Sequence, residues 1–500
     1  MAVITAQAGG FEQPDRNALA DAFAAVARYV PLFAIVALVV GIHVPTLEYY
    51  FFGDDFLVLG DVNAQPFPQY MRDAFLLRDL TPNWRPLTMA VYYGEFQLFG
   101  MEPMPWRIVN LAFHVATVVM LYGLVLSITK RVFVASAAAL IFGVSAAAVH
   151  TVTYITAFPH VLSEFLLVSS LFALHRYVAG EERNPAWYWG AFALYVLGFM
   201  SNEGGVVIGI VLFAYYFFFS FMQRRDPLEL AMKMTPFAIG AIVLVGSFAG
   251  CGCQGVEDGF YGLGWHIARG TWVYMARLAY PVGQIQIDPS AMEWAWGSVV
   301  AGFAIFFLIR GPNLARVAAI GMIVALMPYV PGKIWTATRY TYLALPFFAI
   351  LVAVTAGFVY GHVRDFNRYI ANGLALIALA TVGGLYAWQT IDQTQPFLDD
   401  TERWELLVTE LDEEYGDIPP GTTVYVVDDE GVWTNAFWQA TWMPSIGRAL
   451  WGQDRAVRAL PAAFIEPVTR NLDPNVYLVL EYKDGELRKS SAASVTQPAE

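Results

Sequence analysis

Charge is what this 500-residue sequence has least of: 14% of its residues are Asp, Glu, Lys or Arg, against roughly 25% in soluble domains. With 57% hydrophobic residues and a mean hydropathy of +0.49, it carries more apolar surface than a soluble core absorbs. That excludes an ordinary soluble enzyme and predicts a polytopic membrane protein. Cysteine is nearly missing. Cys251 and Cys253 stand one glycine apart, a spacing that strains a disulfide, and no His/Cys cluster accompanies them. They read as small apolar residues at a helix end. The first 24 residues hold Glu12, Asp15, Arg16 and Asp21 and lack the basic stretch of a cleavable signal peptide, so the first apolar segment reads as a retained anchor. There is no internal repeat and no glycine-rich phosphate loop; GLG at 262–264 is too little. The net charge of −13 argues against a nucleic-acid partner, which needs a basic face.

What is present is a series of long uncharged runs. About 20 apolar residues cross the hydrocarbon as a helix. Residues 29–47, 108–129, 184–202, 204–223, 234–256, 340–363 and 369–391 contain no Asp, Glu, Lys or Arg. The run 132–163 is interrupted by His150, Pro159 and His160 and splits into two spans. Shorter runs at 294–309 and 317–332 bring the expected total to eleven. With a cytoplasmic N-terminus over 1–28, the alternate short connections carry Lys130–Arg131, Arg176 to Arg183, Arg224 to Lys233, Arg310 to Arg316 and Arg364 to Arg368. Each has at least two basic residues, which places them in the cytoplasm. The loop 48–105, the turns near 151–160 and 201–203, the loop 251–293 and residues 333–339 then face outward. An odd span number puts the C-terminus there as well.

Composition changes after residue 389. DDTERWELLVTELDEEYG (399–416) sets Trp404, Leu407, Val408, Leu411 and Tyr415 on one helical face. IPPGTTVYVVDD (418–429) reads as a turn and a strand, and VYLVLEY (476–482) as another strand. The expected architecture is an all-α polytopic membrane bundle over 29–389 with a small extracytoplasmic α/β domain over 390–488. The tail 489–500 has the composition of a disordered segment.

Chemistry concentrates on the outer side. The loop 48–105 is too long for a passive link. It holds FFGDDF (51–56) with Asp54 and Asp55, then Asp61, Asn63, NWRPLT (83–88) and PWRIVN (105–110), where Trp106 reads as an interfacial anchor. Between them FPQYMRDAFLLRDL (67–80) has the pattern of a helix lying in the interface. His150, His160, Glu164 and Glu203 fall on the same side. Ionisable residues inside a membrane bundle are functional candidates. Arg269, Arg277, Lys333 and Arg339 add positive charge suited to an anionic lipid phosphate.

These motifs carry a family resemblance. The Asp pair after the first helix, NWRPLT, and WRIVNLAFHVATVVMLYGLV (106–125) resemble the integral-membrane GT-C glycosyltransferases, above all the dolichyl-phosphate-mannose protein O-mannosyltransferases. AVHTVTYITAFPHVLSE (148–164) is similar to their second short loop. MSNEGG (200–205) resembles their Ser-Lys-Glu turn, with Asn202 in the lysine position, and RYTYLALP (339–346) their Arg-Tyr segment with Tyr340. The resemblance spans about 45–345 in order. Tetratricopeptide repeats are missing, and the tail looks like the small domain of uncharacterised bacterial GT-C homologues.

The resemblance implies an inverting glycosyltransferase that uses a polyprenyl-phosphate-sugar, with a mannose-like hexose favoured, on a protein or glycan hydroxyl at the outer face of the cell membrane. One of Asp54 and Asp55 is the base for the acceptor hydroxyl. Arg339, then Arg85, Lys333 and Arg277, serve the donor phosphate, and His150, His160, Glu164, Glu203 and Tyr340 complete the candidate site. The Asp, Glu and His residues are of types that bind Mg²⁺, Mn²⁺ or Zn²⁺, but the sequence assigns no metal. Two other readings are a transporter or flippase of lipid-linked glycans, and a non-catalytic membrane scaffold.

Overall fold

The computed structural model describes residues 26–76, 84–250, 262, 264–280, 285–286, 290–332, 336–427, 436–452, 455–460, 462–470, 473, 476–483 and 486–490. Cys251, Cys253, Lys333, the N-terminal 25 residues and the tail 491–500 lie outside this set, and so does the side chain of Glu203.

Helices dominate, and their ends follow from local chemistry. Proline opens the helices Pro103–Thr129, Pro185–Ser201 and Leu345–Phe366 at a first-turn position, where its missing N–H costs nothing. Asn184 and Asn367 cap helices by accepting from backbone N–H groups, and Ser290 and Glu293 form a reciprocal capping box. Among the described residues, seven helices are long and apolar enough to span a bilayer: Val30–Glu48, Pro103–Thr129, Ile155–Ala179, Gly204–Arg224, Ala291–Arg310, Thr338–Phe366 and Arg368–Gln395. An eighth arises if Val132–Gly143 and Ala146–Thr153, bent by 45°, count as one broken span. Eleven full spans are therefore not found. The expected run 317–332 forms a helix over Asn313–Leu326 of 14 residues, and 184–202 one of 17 residues. Both fall short of the roughly 20 residues that cross the hydrocarbon. Large apolar side chains point outward from the bundle, such as Phe33 (71% exposed) and Leu376 (69%), as a lipid-facing surface requires.

The outer loop folds on its own. A 3₁₀ turn, Val44–Glu48, ends the first span; helices Asp55–Ala64, Phe67–Leu76 and Pro86–Phe99 follow. A helix forms over Phe67–Leu76, within the segment read as helical, turning Tyr70 and Ala74 inward and leaving Phe75 and Leu76 exposed. Strands β1 (Ile285–Gln286) and β2 (Thr336–Ala337) pair antiparallel and lead into the 3₁₀ helix Thr338–Ala344.

The last span does not end where the composition changes. Arg368–Tyr415 is one helix of 48 residues; leaving lipid for water changes the side chains that a helix presents, not its hydrogen bonds. It reaches a four-stranded sheet of order β4-β3-β5-β6. In it β3 (Thr423–Val427) runs parallel to β4 (Ala456–Leu460) and to β5 (Tyr477–Lys483), and β6 (Glu486–Lys489) runs antiparallel to β5. Alternation along β3 sends Val424 and Val426 into the core shared with Leu407, Leu411 and Ile446, and Tyr425 and Val427 against Ile465. That shared core continues into the membrane bundle through Trp404 and Phe56. Helix Ala436–Trp451, between β3 and β4, lies along helix Asp55–Ala64. Arg448 pairs with Asp61 at 3.1 Å, and Asn63 Nδ2 donates to the Arg448 and Ala449 carbonyls at 3.2 and 2.9 Å.

Candidate active site

The two adjacent aspartates have different environments. Gly53 (φ 59°) makes the turn before them. That backbone region favours glycine, and an added Cβ would sit 3.0 Å from Tyr154 Oη and 3.2 Å from the Trp442 ring. Asp55 opens helix Asp55–Ala64 fully buried. Its Oδ2 accepts from Phe52 N at 3.3 Å and its Oδ1 from Thr156 N at 3.0 Å, so its carboxylate ties the first outer loop to the second. Burial pushes its pKa up to about 7, against the pull of the Arg107 guanidinium. Asp54 is half-buried. Its backbone N–H donates to Tyr154 Oη at 2.7 Å, and its Oδ1 accepts from the Trp442 indole at 2.9 Å. Oδ2 makes no hydrogen bond among the described residues.

The WRIVN string explains how this turn is held. Arg107 is buried and donates to the carbonyls of Tyr49, Tyr50 and Thr153, and Asn110 Nδ2 donates to those of Val152 and Tyr154 at 3.2 and 3.1 Å. Two side chains three residues apart on one helix face therefore clamp both outer loops. Trp106 is not an interfacial anchor: it is 1% exposed, packed between Phe51 and Tyr92, with its indole donating to Gly100 O.

Tyr154 is the hub. It stacks on Phe52 at 4.7 Å and on His150 at 5.2 Å, and the Arg339 guanidinium lies 5.7 Å from its ring centroid. Arg339 also covers the Tyr340 ring at 5.4 Å and interacts electrostatically with Asp54. Tyr340 stacks on Tyr329 at 4.7 Å. Tyr329 Oη donates to Asn202 Oδ1 at 3.3 Å, and His160 Nδ1 lies 3.3 Å from Tyr329 Oη and 3.2 Å from Asn202 Nδ2. Asn202 Oδ1 also takes the Gly204 N–H at 2.7 Å, and a Cβ on Gly204 would meet Tyr329 Oη at 2.4 Å. Arg85 acts on His160 electrostatically, while Thr88 of the same motif donates to Ser201 O at 2.8 Å. The structure thus brings Asp54, His150, Tyr154, His160, Arg339, Tyr340 and Arg85 around one aromatic shelf.

Two expected members stand apart. Arg277 is buried in an ion pair with Glu293 at 3.3 Å, so its charge is already matched. Glu164 is fully buried among bundle helices, neither carboxyl oxygen having a hydrogen-bond partner among the described residues, and an electrostatic neighbour is Tyr342. Among the described residues no three His, Cys, Asp or Glu side chains group as a metal site. Sequence reasoning missed Tyr154, Tyr329 and Trp442. Tyr154 lay inside a quoted motif; Trp442 carried no local signal.

The Asp55 environment predicts a pH effect on stability. An unfolded aspartate loses its proton near pH ~3.9, while the folded Asp55 keeps it up to about pH 7. The folded state therefore binds more protons in this window, and stability falls as pH rises through it. Thermal unfolding in detergent between pH 4.5 and 7.5 should show a steeper fall for wild type than for Asp55→Asn, by up to about 1.4 kcal/mol per pH unit. Asp61, raised to about 6 by burial against Arg448, acts with the same sign in both proteins. Equal slopes would remove Asp55 from this account.

No protein-family model matches the chain, and no curated sequence matches it. Solved structures do. The oligosaccharyltransferase AglB from Archaeoglobus fulgidus, in complex with an inhibitory peptide and a dolichol-phosphate, is 12% identical over 92% of this chain and 70% of its own, with a TM-score of 0.56. ArnT from Cupriavidus metallidurans in the apo state is 12% identical over 93% of this chain and 99% of its own, with a TM-score of 0.54. The chain therefore folds as these two proteins do.

Proposed function

We propose that the protein is a membrane glycosyltransferase that moves a sugar from a polyprenyl-phosphate donor to an acceptor hydroxyl, with Asp54 as base. The observation that carries this reading is the setting of Asp54: a half-buried carboxylate with one oxygen unengaged among the described residues, placed electrostatically against Arg339 on a shelf of tyrosines. Asp55 has the opposite character, with both oxygens committed to the backbone, and serves as the brace.

The chemistry then balances. The acceptor oxygen attacks the anomeric carbon and its proton passes to Asp54 Oδ2. The carbon–oxygen bond to the phosphate breaks, and the lipid leaves as a phosphomonoester carrying one more negative charge than the phosphodiester it came from. Arg339, with Arg85 behind it, meets that added charge. A single displacement predicts inversion at the anomeric carbon. The GT-C neighbour held with a dolichol-phosphate and a peptide supports a lipid-phosphate donor in this fold, and a mannose-like hexose on a protein or glycan hydroxyl follows from the motif resemblance. The basic connections support a site at the outer face of the cell membrane, with the N-terminus cytoplasmic. The C-terminal domain lies on the side of the site because Trp442 reaches Asp54.

The test is transfer by purified protein in nanodiscs from labelled polyprenyl-phosphate-mannose to hydroxyl-bearing peptides and glycans, with the product anomer read by NMR. Transfer with inversion is expected; retention would overturn the single-base reading. Loss of the gene should remove a glycan from cell-surface proteins or glycans by mass spectrometry, and unchanged glycosylation under expressing conditions would count against the assignment.

A further inference from the structure

The C-terminal domain reaches into the site at one atom pair. Trp442 lies on helix Ala436–Trp451, and its indole N–H donates to Asp54 Oδ1 at 2.9 Å. The contact is built rather than incidental. The Trp442 ring meets Trp404 edge-on at 5.7 Å, and Trp404 in turn packs on Phe56 at 5.3 Å, two residues past the aspartate. Gly53 leaves room for the ring: a Cβ there would lie 3.2 Å from it. The same helix is fixed to the outer loop by Arg448–Asp61 and by the bonds from Asn63. Ser445 O stands 2.7 Å from where a Cβ on Gly60 would be. Neither side has space to slide.

We propose that Trp442 is a positioning residue for the base: its N–H occupies Oδ1, fixes the carboxylate plane, and leaves Oδ2 as the atom that receives the acceptor proton. This rests on the glycosyltransferase reading above. An indole N–H is a donor that cannot accept, so it can hold a carboxylate oxygen but cannot itself take the acceptor's proton. Among the described residues, the charged and titratable groups acting on Asp54 are Asp55, Tyr154 and Arg339. None of these three belongs to the C-terminal domain, whose described contact with this carboxylate is an uncharged donor.

Trp442→Phe keeps an aromatic ring in the slot and removes the N–H. Expected is a fall in kcat of about 10- to 100-fold, as for loss of a hydrogen bond to a charged group, with donor KM within about twofold. The acid limb of the pH–rate profile should move up by about one unit. In an Asp54→Asn background the same change should have no further effect. Wild-type kcat and an unmoved acid limb in Trp442→Phe would overturn the proposal. A fall in kcat with an unmoved limb would also overturn it, because that is what loosened packing alone produces. A separate readout needs no substrate: in ¹⁵N-tryptophan-labelled protein in nanodiscs, the indole resonance lost in Trp442→Phe should shift in Asp54→Asn. If it shifts while wild type transfers no sugar, the contact stands and the glycosyltransferase reading fails. If it does not shift, the contact itself is refuted.

Discussion

Asp54→Asn should lower sugar transfer by about 10²- to 10⁴-fold, the loss of the base alone, leaving a measurable residual rate and a folded protein. The amide is isosteric. Its carbonyl can still accept from the Trp442 indole, and the backbone N–H to Tyr154 is untouched. What disappears is a group able to take a proton. Asp55→Asn should behave differently: one oxygen of the amide still accepts a backbone N–H, the other becomes a donor facing a donor, and the loss appears mainly in stability and its pH dependence. Initial rates with a labelled lipid donor, alongside unfolding curves, separate the two. If Asp55→Asn stops transfer in a fully folded protein and Asp54→Asn does not, the roles are reversed and the base assignment falls.

Arg339→Gln should cost about 10²- to 10³-fold in kcat, the range for removing a preorganised charge-stabilising group, and Arg339→Lys should recover part of it. The guanidinium lies over Tyr154 and Tyr340, a seat suited to a flat, weakly hydrated cation; a lysine brings the charge without that fit. A more selective signature lies in product binding. The released lipid phosphate bears more charge than the donor, so the variant's inhibition constant for polyprenyl phosphate should rise more than its KM for the donor. Wild-type turnover in Arg339→Gln would sink the phosphate role.

Much of this arrangement was legible residue by residue. FFGDDF announced itself because two acids next to lipid need an explanation, and the motif order brought His150, His160 and Arg339 to one place. The choice within the pair was not legible, since it depends on which carboxylate meets the N–H of Thr156, 101 residues away. Arg107 stood in the PWRIVN string without a role of its own; that it gathers three carbonyls from two loops is a tertiary fact. Arg277 looked free to bind phosphate until Glu293 was found against it. Seven or eight full spans rather than eleven stand among the described residues, because lack of charge marks apolar segments without fixing helix length, as Asn313–Leu326 illustrates. The tail was read from its strands as a separate unit. Helix Ala436–Trp451 holds Trp442, Ser445, Arg448 and an internal Pro444, no pattern of which points to residue 54.

The Trp442–Asp54 bond joins residues 388 positions apart. A ribosome adding roughly 5 to 20 residues per second needs about 20 to 80 s to cover that distance. For that interval the acid made near the start of the chain exists without the indole that holds it. A nascent chain, a prematurely terminated one or a proteolytic fragment lacking the C-terminal part carries both aspartates and the whole membrane bundle, yet an unfinished site. Only after synthesis has passed Trp442 can the carboxylate acquire the geometry proposed for it.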